Sequence, residues 1–329
     1  MKTTILYKDW ENKEMIKVRA KVIVLISIVT FIAGIVIFNI YNNNKINIVT
    51  QEIELENLPE EFEGFTILQL ADLHSKSFGE NQENLINIIN EQNFDMIAIC
   101  GDMQDNDEEG YENFIKLLEG INNKEYVFYT PGNHGPFPFE NDTGFTNFLS
   151  SDFNGRHRRE YNNKKTLSES GERLESLGVK LLNEAYEIRR GDSSLWVSEL
   201  LYKEQLATIT NNQYDNDSIN IAVTHYPMEG VFDDENYRHR LSQYELVLAA
   251  HYHGGQWRIP GIGALFIPDI NKAAYFPSQD RVSGLTEVGG IKQYVTRGLG
   301  AGGPYDFIRF RLFNRPEINL IKLVNEKES

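Results

Sequence analysis

The sequence predicts an α/β fold with a parallel β-sheet, preceded by one N-terminal transmembrane helix. The sheet is predicted by strand and helix patterns that alternate from residue 65 to residue 130, with polar residues after each strand. The helix is predicted by residues 22–41, which carry no charge and are long enough to cross a hydrocarbon core. Ligands of such sheets gather at the carboxyl ends of the strands, so the fold class also predicts where a site lies.

The apolar run at residues 22–41 reads VIVLISIVTFIAGIVIFNIY. Six basic residues precede it and only Lys45 follows closely, so the positive-inside rule places residues 1–21 in the cytoplasm and the rest of the chain outside. We expect an uncleaved anchor in the cell membrane, because a cleavable signal has a shorter apolar region and a small-residue cleavage site. A buried core helix is the alternative interpretation.

The charge of the chain limits its partners. The whole chain carries −16 and the first 21 residues carry +3, so the remainder carries −19. Nucleic-acid binding is not expected, because phosphate backbones are bound through clustered Lys and Arg. One strong basic run stands outside the N-terminus, and it is interpreted as a solvated loop or as a contact for lipid or substrate phosphates. It comprises Arg156, Arg158, Arg159, Lys164 and Lys165.

Residues 42–64 are expected to form a linker leading into the domain, and residues 65–325 the domain itself. Helices are predicted at 84–92 and 111–121. Strands are predicted at 65–70, 95–100, 126–129, 179–182, 186–189, 195–197, 218–224, 246–249, 293–296 and 318–324. Regular patterns disappear between residues 135 and 178, which predicts an inserted loop or lid. The single cysteine, Cys100, excludes internal disulfides, and its apolar surroundings favour a core residue over a catalytic thiol.

Polar residues follow five of the predicted strands. They are Asp72 with His74, Asp102, Asn133 with His134, His225, and His251 with His253. Asp and Asn also make turns, and a lone histidine is more often structural than a ligand. Five such clusters at strand ends nevertheless favour a metal site, since carboxylate and imidazole are common ligands of divalent ions.

The spacing of these residues favours two metal positions. Residues i and i+2 of an extended segment point to the same side, so Asp72 and His74 can aim at one locus, and His251 and His253 likewise. Two divalent ions about 3.5–4 Å apart need a shared ligand, and the carboxylate of Asp102 can bridge them. A water between the ions would become a nucleophile at neutral pH, which predicts hydrolysis of phosphoesters.

The motifs themselves match a family. Asp-Leu-His at 72–74, Gly-Asp at 101–102, Gly-Asn-His at 132–134, His225 and His-Tyr-His at 251–253 resemble, in order and spacing, the calcineurin-like metallophosphoesterases. Gly-Gly-Gln at 254–256 and the glycine-rich segment at 297–303 resemble the bacterial membrane-tethered phosphodiesterase branch. The resemblance covers about residues 65–323 and is thin across the insert. It implies a four-layer sandwich of two mixed β-sheets flanked by helices, with a dimetal centre.

The resemblance also implies roles for the residues. One metal would be held by Asp72, His74, Asp102 and His253. The other would be held by Asp102, Asn133, His225 and His251. His134 would lie beside the centre without binding metal, where it would stabilise phosphoryl charge and protonate the leaving oxygen. The ligands suit two divalent ions such as Mn, Fe or Zn, and the sequence does not decide among them.

Two positions depart from the family. Gly135 stands where an acidic residue is usual, and Ala250 replaces a glycine. The expected substrate is a membrane or cell-envelope phosphoester, because the branch acts on phosphodiesters or on lipid-linked pyrophosphates such as UDP-diacylglucosamine. Alternatives are a phosphomonoesterase or protein phosphatase, and a catalytically weakened membrane protein that uses the fold for binding. Arg297 is interpreted either as an anion contact or as a partner in a structural ion pair.

Overall fold

The computed structural model describes residues 2–105, 111–140, 166–200, 218–228, 242–267, 274–303 and 309–326, with side chains from residue 14 onward. These residues form a mixed α/β domain of two six-stranded sheets behind a long N-terminal helix. The predicted fold class is thereby confirmed.

The described helices are α1 Lys2–Asn43, α2 Glu83–Asn90, α3 Tyr111–Gly120, α4 Glu169–Ser176 and α5 Gln279–Val282. The first seven strands are β1 Asn47–Leu55, β2 Thr66–Leu70, β3 Met96–Cys100, β4 Val127–Thr130, β5 Val179–Leu181, β6 Tyr186–Arg190 and β7 Ser193–Glu199. The others are β8 Ser218–Val223, β9 Leu246–Ala249, β10 Arg258–Ile259, β11 Gly263–Ala264, β12 Gly284–Val288, β13 Ile291–Val295 and β14 Glu317–Asn325.

Helix α1 contains an apolar stretch, Glu14–Asn43, that is long enough to cross a membrane, and it is the one helix of this kind among the described residues. Its side chains are almost all exposed up to Phe38, which is what a lipid environment would permit. Length and composition of this kind also occur in N-terminal signal sequences. The membrane span and its orientation therefore remain predictions.

The first sheet has the strand order β1-β14-β2-β3-β4-β5. Strands β2 to β5 are parallel neighbours, whereas β14 is antiparallel to β2. Helices α2, α3 and α4 cover the outer face, where Leu85, Phe114 and Leu174 pack against Leu68 and Ile97 of the sheet. These helices form because their apolar residues recur on one side, and burying that side against the strands stabilises both.

The second sheet has the order β12-β13-β9-β8-β7-β6, with antiparallel hairpins at both edges and parallel strands between. The two sheets face each other across one core, in which Ile67 and Ala98 meet Val197, Ile221 and Leu248. Cys100 is fully buried in this core, and burial raises the pKa of its thiol to about 12. The cysteine is therefore a structural residue, as its sequence surroundings favoured.

The structure differs from the sequence interpretation in several places. Residues 42–64 contain β1, an edge strand that pairs in parallel along the whole length of β14. The insert predicted at 135–178 contains α4, capped by Ser168, whose Oγ accepts a hydrogen bond from Gly171 N. Strands β10, β11 and β12 and helix α5 were not predicted. Residues 141–165 of the insert, and with them the basic run from Arg156 to Lys165, lie outside the described residues.

Candidate metal centre

Five strand ends converge on one site. Strands β2, β3 and β4 of the first sheet and β8 and β9 of the second all point their carboxyl ends to the same edge of the sandwich. The predicted site residues follow directly: Asp72 and His74 after β2, Asp102 after β3, Asn133 and His134 after β4, His225 after β8, and His251 and His253 after β9. The structure brings all eight together, and each lies within 4 Å of another member.

One side of the site is formed by Asp72, His74 and His253. Their ligand atoms lie within 4.8 Å of one another, and all three residues are buried. His253 Nδ1 is 3.9 Å from Asp72 Oδ2, and the rings of His74 and His253 have centroids 4.9 Å apart. This spacing can accommodate a metal ion between the side chains.

The other side is formed by Asp102, His225 and His251, again within 4.8 Å of one another. His225 Nε2 lies 3.0 Å from His251 Nδ1 and 3.2 Å from both Asn133 Oδ1 and Asp102 Oδ2. The Nδ1 atom of His225 lies 2.8 Å from the carbonyl oxygen of Cys100, at the end of β3 in the facing sheet. That contact fixes the ring and turns Nε2 toward the other three groups.

Asp102 connects the two sides. Its Oδ2 is 3.5 Å from His74 Nε2, and its Oδ1 accepts a 2.8 Å hydrogen bond from the backbone N–H of His134. The close approach requires glycine at 132, where a Cβ would lie 2.1 Å from Asp102 Oδ1. His134 also groups with His74 and Asp102, and its side chain is 17% exposed, more than any other predicted site residue shown in an ion pair.

The backbone of the site is strained. Asp72, His74, Asp102, His251 and His253 all have positive φ angles, between 45° and 72°. Residues with side chains rarely adopt this left-handed region, and each such residue costs of order 1–3 kcal/mol. The sequence interpretation expected extended segments in which residues i and i+2 point to one locus. In the structure, tight turns with left-handed backbone angles bring these side chains together instead.

Burial and neighbouring charges shift the pKa values of the site residues in opposite directions. Burial raises the pKa of Asp72 to about 6, although His225 opposes the shift. Burial also acts to raise the pKa of Asp102, but the charge and hydrogen bond of His225 outweigh it and hold that pKa far below its usual range. Burial alone would lower the pKa of His225, and Asp102 instead raises it to about 9.

Burial lowers the pKa of two further histidines. Burial lowers the pKa of His253 well below its ordinary value, and the neighbouring His74 adds to the effect. Burial likewise lowers the pKa of His134, against the opposing charge of Asp102. Neutral imidazole is the form that binds a metal ion or accepts a proton.

The donor set fits metal ions. Both carboxylate oxygens of Asp72, both ring nitrogens of His74 and Nδ1 of His253 are buried and have no hydrogen-bond partner within the described ranges. Buried polar atoms without partners are costly, and divalent cations would satisfy this set of oxygen and imidazole ligands. The residues therefore have the chemistry of a metal centre, while the number and identity of the ions stay predictions.

Three residues of the site were missed in the sequence. Asp105 Oδ1 lies 3.8 Å from His134 Nδ1, and Asp105 also pairs with Arg309 at 3.1 Å. The hydroxyl of Tyr226 lies 3.4 Å from Asn133 Oδ1. Asp105 and Tyr226 lie close in sequence to the motif residues Asp102 and His225. That proximity could have identified them as candidates.

Arg311 is the third missed residue and is fully buried. Its guanidinium donates to the carbonyl oxygens of Arg297 and Gly300. It holds the glycine-rich loop 298–303 against the metal site, where a Cβ at Gly298 would lie 2.5 Å from Asp72 Oδ2. No local sequence pattern marks Arg311.

The structure also accounts for Ala250 and Gly135, which depart from the family pattern, and for Arg297. Ala250 is buried in the core between the sheets with ordinary backbone geometry, so its methyl group is accommodated. Gly135 accepts a hydrogen bond from Gln104 N, and a Cβ there would lie 2.9 Å from Gln104 Oε1. Arg297 forms a 3.5 Å ion pair with Glu317, the structural alternative considered for it.

Comparisons with known proteins agree with this geometry. The profile described as calcineurin-like phosphoesterase matches residues 65–255, which is more than half of the chain. An uncharacterized metallophosphoesterase of Campylobacter jejuni is 28% identical over 279 residues, covering 84% of this chain but 63% of that relative. The uncharacterized metallophosphoesterase YkuE of Bacillus subtilis is 24% identical over 271 residues, 81% of each chain. Phosphodiesterase YaeI of Escherichia coli is 35% identical over 85 residues, 26% of this chain and 27% of YaeI.

Proposed function

The chain belongs to the calcineurin-like phosphoesterase family, and from that premise we propose that it is a two-metal phosphodiesterase or pyrophosphatase acting on a membrane or cell-envelope phosphoester. The single observation that carries the proposal is the position of Asp102 between the two sides, where its Oδ2 lies 3.5 Å from His74 Nε2 and 3.2 Å from His225 Nε2. A carboxylate shared between two sets of imidazole ligands suits two cations in one site.

The proposed ligand sets are those that the family resemblance implies: Asp72, His74, Asp102 and His253 on one side, and Asp102, Asn133, His225 and His251 on the other. Two divalent cations bound there would supply positive charge for the phosphoryl oxygens and a water acidic enough to attack at neutral pH. The protein contributes rigid placement. Cys100 O orients His225, and the N–H of His134 holds Asp102 in its bridging position.

His134 is the proposed catalytic acid. Its side chain is partly exposed, whereas every proposed ligand except the neighbouring Asn133 is buried, so a phosphoester would approach from the side of His134. Asp105 Oδ1 lies 3.8 Å from His134 Nδ1, and its negative charge favours the protonated ring, against the burial that lowers the pKa of His134. A protonated His134 can stabilise charge on the phosphoryl group and transfer its proton to the leaving oxygen.

The proposed location supports the choice of substrate. If α1 spans the membrane with residues 1–21 inside, the domain lies on the outer side, next to lipids and envelope polymers. YaeI, the relative with 35% identity over its matched segment, carries the name phosphodiesterase. These two points favour a diester or a lipid-linked pyrophosphate over a phosphoprotein.

The test uses the full chain, purified in detergent and loaded with Mn²⁺. Metal content would be measured alongside hydrolysis of bis(p-nitrophenyl) phosphate and p-nitrophenyl phosphate. Two metals per chain, with diester cleavage that a chelator abolishes and Mn²⁺ restores, is the expected result. Cleavage of the monoester alone would favour the phosphomonoesterase alternative, and a chain that binds no metal would refute the proposal.

Reporter fusions at the C-terminus would test the outward topology.

A further inference from the structure

The last turn of helix α1 is hydrogen-bonded to the domain. Asn43 Nδ2 donates to Arg311 O at 2.8 Å, Arg315 Nε donates to Asn42 Oδ1 at 2.6 Å, and Asn39 Oδ1 accepts from Phe313 N at 2.8 Å. Asn39 and Asn42 are buried by this contact. The position of the domain relative to the helix is therefore fixed by residues 311–315.

These contacts between α1 and residues 311–315 lie at the end of the apolar run, where the predicted membrane boundary would be. The rings of Phe38 and Phe313 have centroids 5.8 Å apart, and Phe38 belongs to the apolar run that ends at Tyr41. Tyr41 is 56% exposed, and Lys45 Nζ lies 4.5 Å above its ring. An exposed tyrosine followed by a lysine is typical of the lipid–water interface. If α1 spans a bilayer, residues 311–313 therefore lie at its surface.

An exposed apolar surface continues from this point. We call it the hairpin patch, and it comprises Trp257, Ile259, Ile262, Tyr275, Phe276 and Phe310. Outside α1, five of the seven large apolar side chains that are exposed in the described ranges belong to it. Ile262 is 67% exposed, Tyr275 82% and Phe276 65%. Soluble surfaces rarely expose so many large apolar groups together, and such patches mark a contact with a membrane or another protein.

The hairpin patch adjoins residues 310–312. Trp257 Nε1 donates to Phe310 O at 2.9 Å, and the two rings have centroids 4.9 Å apart. Arg258 N donates to Leu312 O at 2.9 Å. Residues 256–258 thus pair with residues 310–312, which themselves contact the last turn of α1. The hairpin patch is therefore joined to the segment that contacts the last turn of α1.

The same segments also contact the metal site. Asn314 Nδ2 donates to the carbonyl oxygen of His253 at 2.7 Å, and only three residues separate His253 from Trp257. Arg311 holds the glycine-rich loop that packs on Asp72. A bilayer in contact with the hairpin patch would therefore lie close to the proposed catalytic centre.

We propose that the hairpin patch is a second membrane contact, which inserts into the interfacial region of the bilayer and holds the metal site at the lipid surface. The proposal rests on α1 spanning the membrane, and it deepens the proposed function by placing the phosphoester in the lipid headgroup layer. Exposed Ile and Phe side chains can enter the acyl boundary, and the rings of Tyr and Trp suit this layer because their apolar bodies enter it while their polar atoms stay near the headgroups.

Site-directed spin labelling of the full chain tests the proposal. Cys100 is fully buried, so nitroxide labels would attach at Ile262→Cys or Phe276→Cys. Asp192→Cys is the control, because it is exposed and precedes β7, at the end of the second sheet opposite the metal site. Each variant would be reconstituted in nanodiscs of phosphatidylethanolamine and phosphatidylglycerol, and its collisions with oxygen and with a water-soluble nickel chelate would be measured.

The expected result is that labels at 262 and 276 collide more with oxygen and at least several-fold less with the nickel chelate than the label at 192. Equal nickel accessibility at all three positions would overturn the proposal, because the patch would then lie in water. Exclusion of both reagents at 262, with spin–spin broadening, would also overturn it and would identify a second copy as the occupant. Hydrolysis of bis(p-nitrophenyl) phosphate by the same samples reports separately on the proposed function.

Discussion

Asp102 Oδ1 accepts a hydrogen bond from the backbone N–H of His134 at 2.8 Å. The contact joins the proposed bridging ligand to the residue that carries the proposed acid, so the end of β3 and the turn after β4 cannot move independently. The other oxygen, Oδ2, remains directed toward the imidazoles of His74 and His225. The arrangement predicts which changes affect metal binding and which affect turnover alone.

Replacing Asp102 should remove one of the two proposed metals. Asp102→Ala removes the carboxylate that lies beside both His74 and His225, so we expect one of the two metals to be lost and hydrolysis to fall by about 10³-fold or more. The control is Asp95→Ala, which removes an ion pair with Arg190 just before the same strand. Metal content by plasma mass spectrometry and diester hydrolysis should stay near normal in the control. Unchanged metal content in Asp102→Ala would exclude the bridging role.

Replacing His134 should affect turnover and leave the metals in place. His134→Gln removes the proposed proton donor, so kcat should fall by about 10²–10⁴-fold, with the larger loss for alkyl diesters, whose leaving groups need a proton. Diesters with a p-nitrophenyl leaving group should be affected less. Equal losses for both substrate classes would contradict the role of general acid, and loss of metal would indicate that His134 is a ligand.

Glycine 132 should be needed for metal affinity although it supplies no ligand. A Cβ there would lie 2.1 Å from Asp102 Oδ1, so Gly132→Ala must displace the carboxylate and weaken metal binding by roughly 10–100-fold. Gly178→Ala is the control, since a Cβ at Gly178, whose φ is +86°, would meet nothing within 4 Å. The control should lose about 1 kcal/mol of stability and keep its metal affinity, measured by calorimetric titration with Mn²⁺.

Arg311 should matter for both stability and the site. Arg311→Met would leave the carbonyl oxygens of Arg297 and Gly300 without their buried donor, which should lower the free energy of unfolding by about 2–4 kcal/mol. Arg173→Met removes an exposed ion pair with Glu119 and should change stability by less than about 1 kcal/mol. Thermal unfolding of the metal-free and metal-loaded chains would measure both effects. Similar losses in the two variants would contradict the structural role of Arg311.

Glu245 should make the protein less stable as the pH rises from about 4.5 to 7. Burial raises the pKa of this carboxyl from 4.5 to about 7, although Oε2 accepts a 2.6 Å hydrogen bond from Asn220 N. Between these values the unfolded chain loses the proton that the folded chain retains, so stability falls with pH and then levels off. Because the side chain is only half-buried, we expect Glu245→Gln to gain about 1–2 kcal/mol at pH 8 and nothing at pH 4. Denaturant titrations at both pH values would show it, and an equal gain at both would contradict the mechanism.

The sequence by itself determined the buried strands, and with them the position of each cluster that follows a strand. Strands such as Met96–Cys100 are buried along their whole length and read as continuous apolar runs, so local pattern suffices to find them. Strand β1 was interpreted as a linker because its outward face is polar and its partner, β14, lies about 270 residues away. A strand at the edge of a sheet has little local signal, since pairing defines it.

The family motifs in the sequence named the residues of the proposed metal centre, but tertiary structure decided how they meet. Packing of the two sheets brings His225 of one beside Asp102 of the other, and left-handed turns at Asp72, His74, His251 and His253 aim the side chains inward. Arg311 and the fastening of Asn39 to Phe313 N could not be inferred, because their partners are backbone atoms distant in the chain. Local periodicity determines which face of an element is buried, whereas contacts between distant backbone and side-chain groups exist only after the elements have packed.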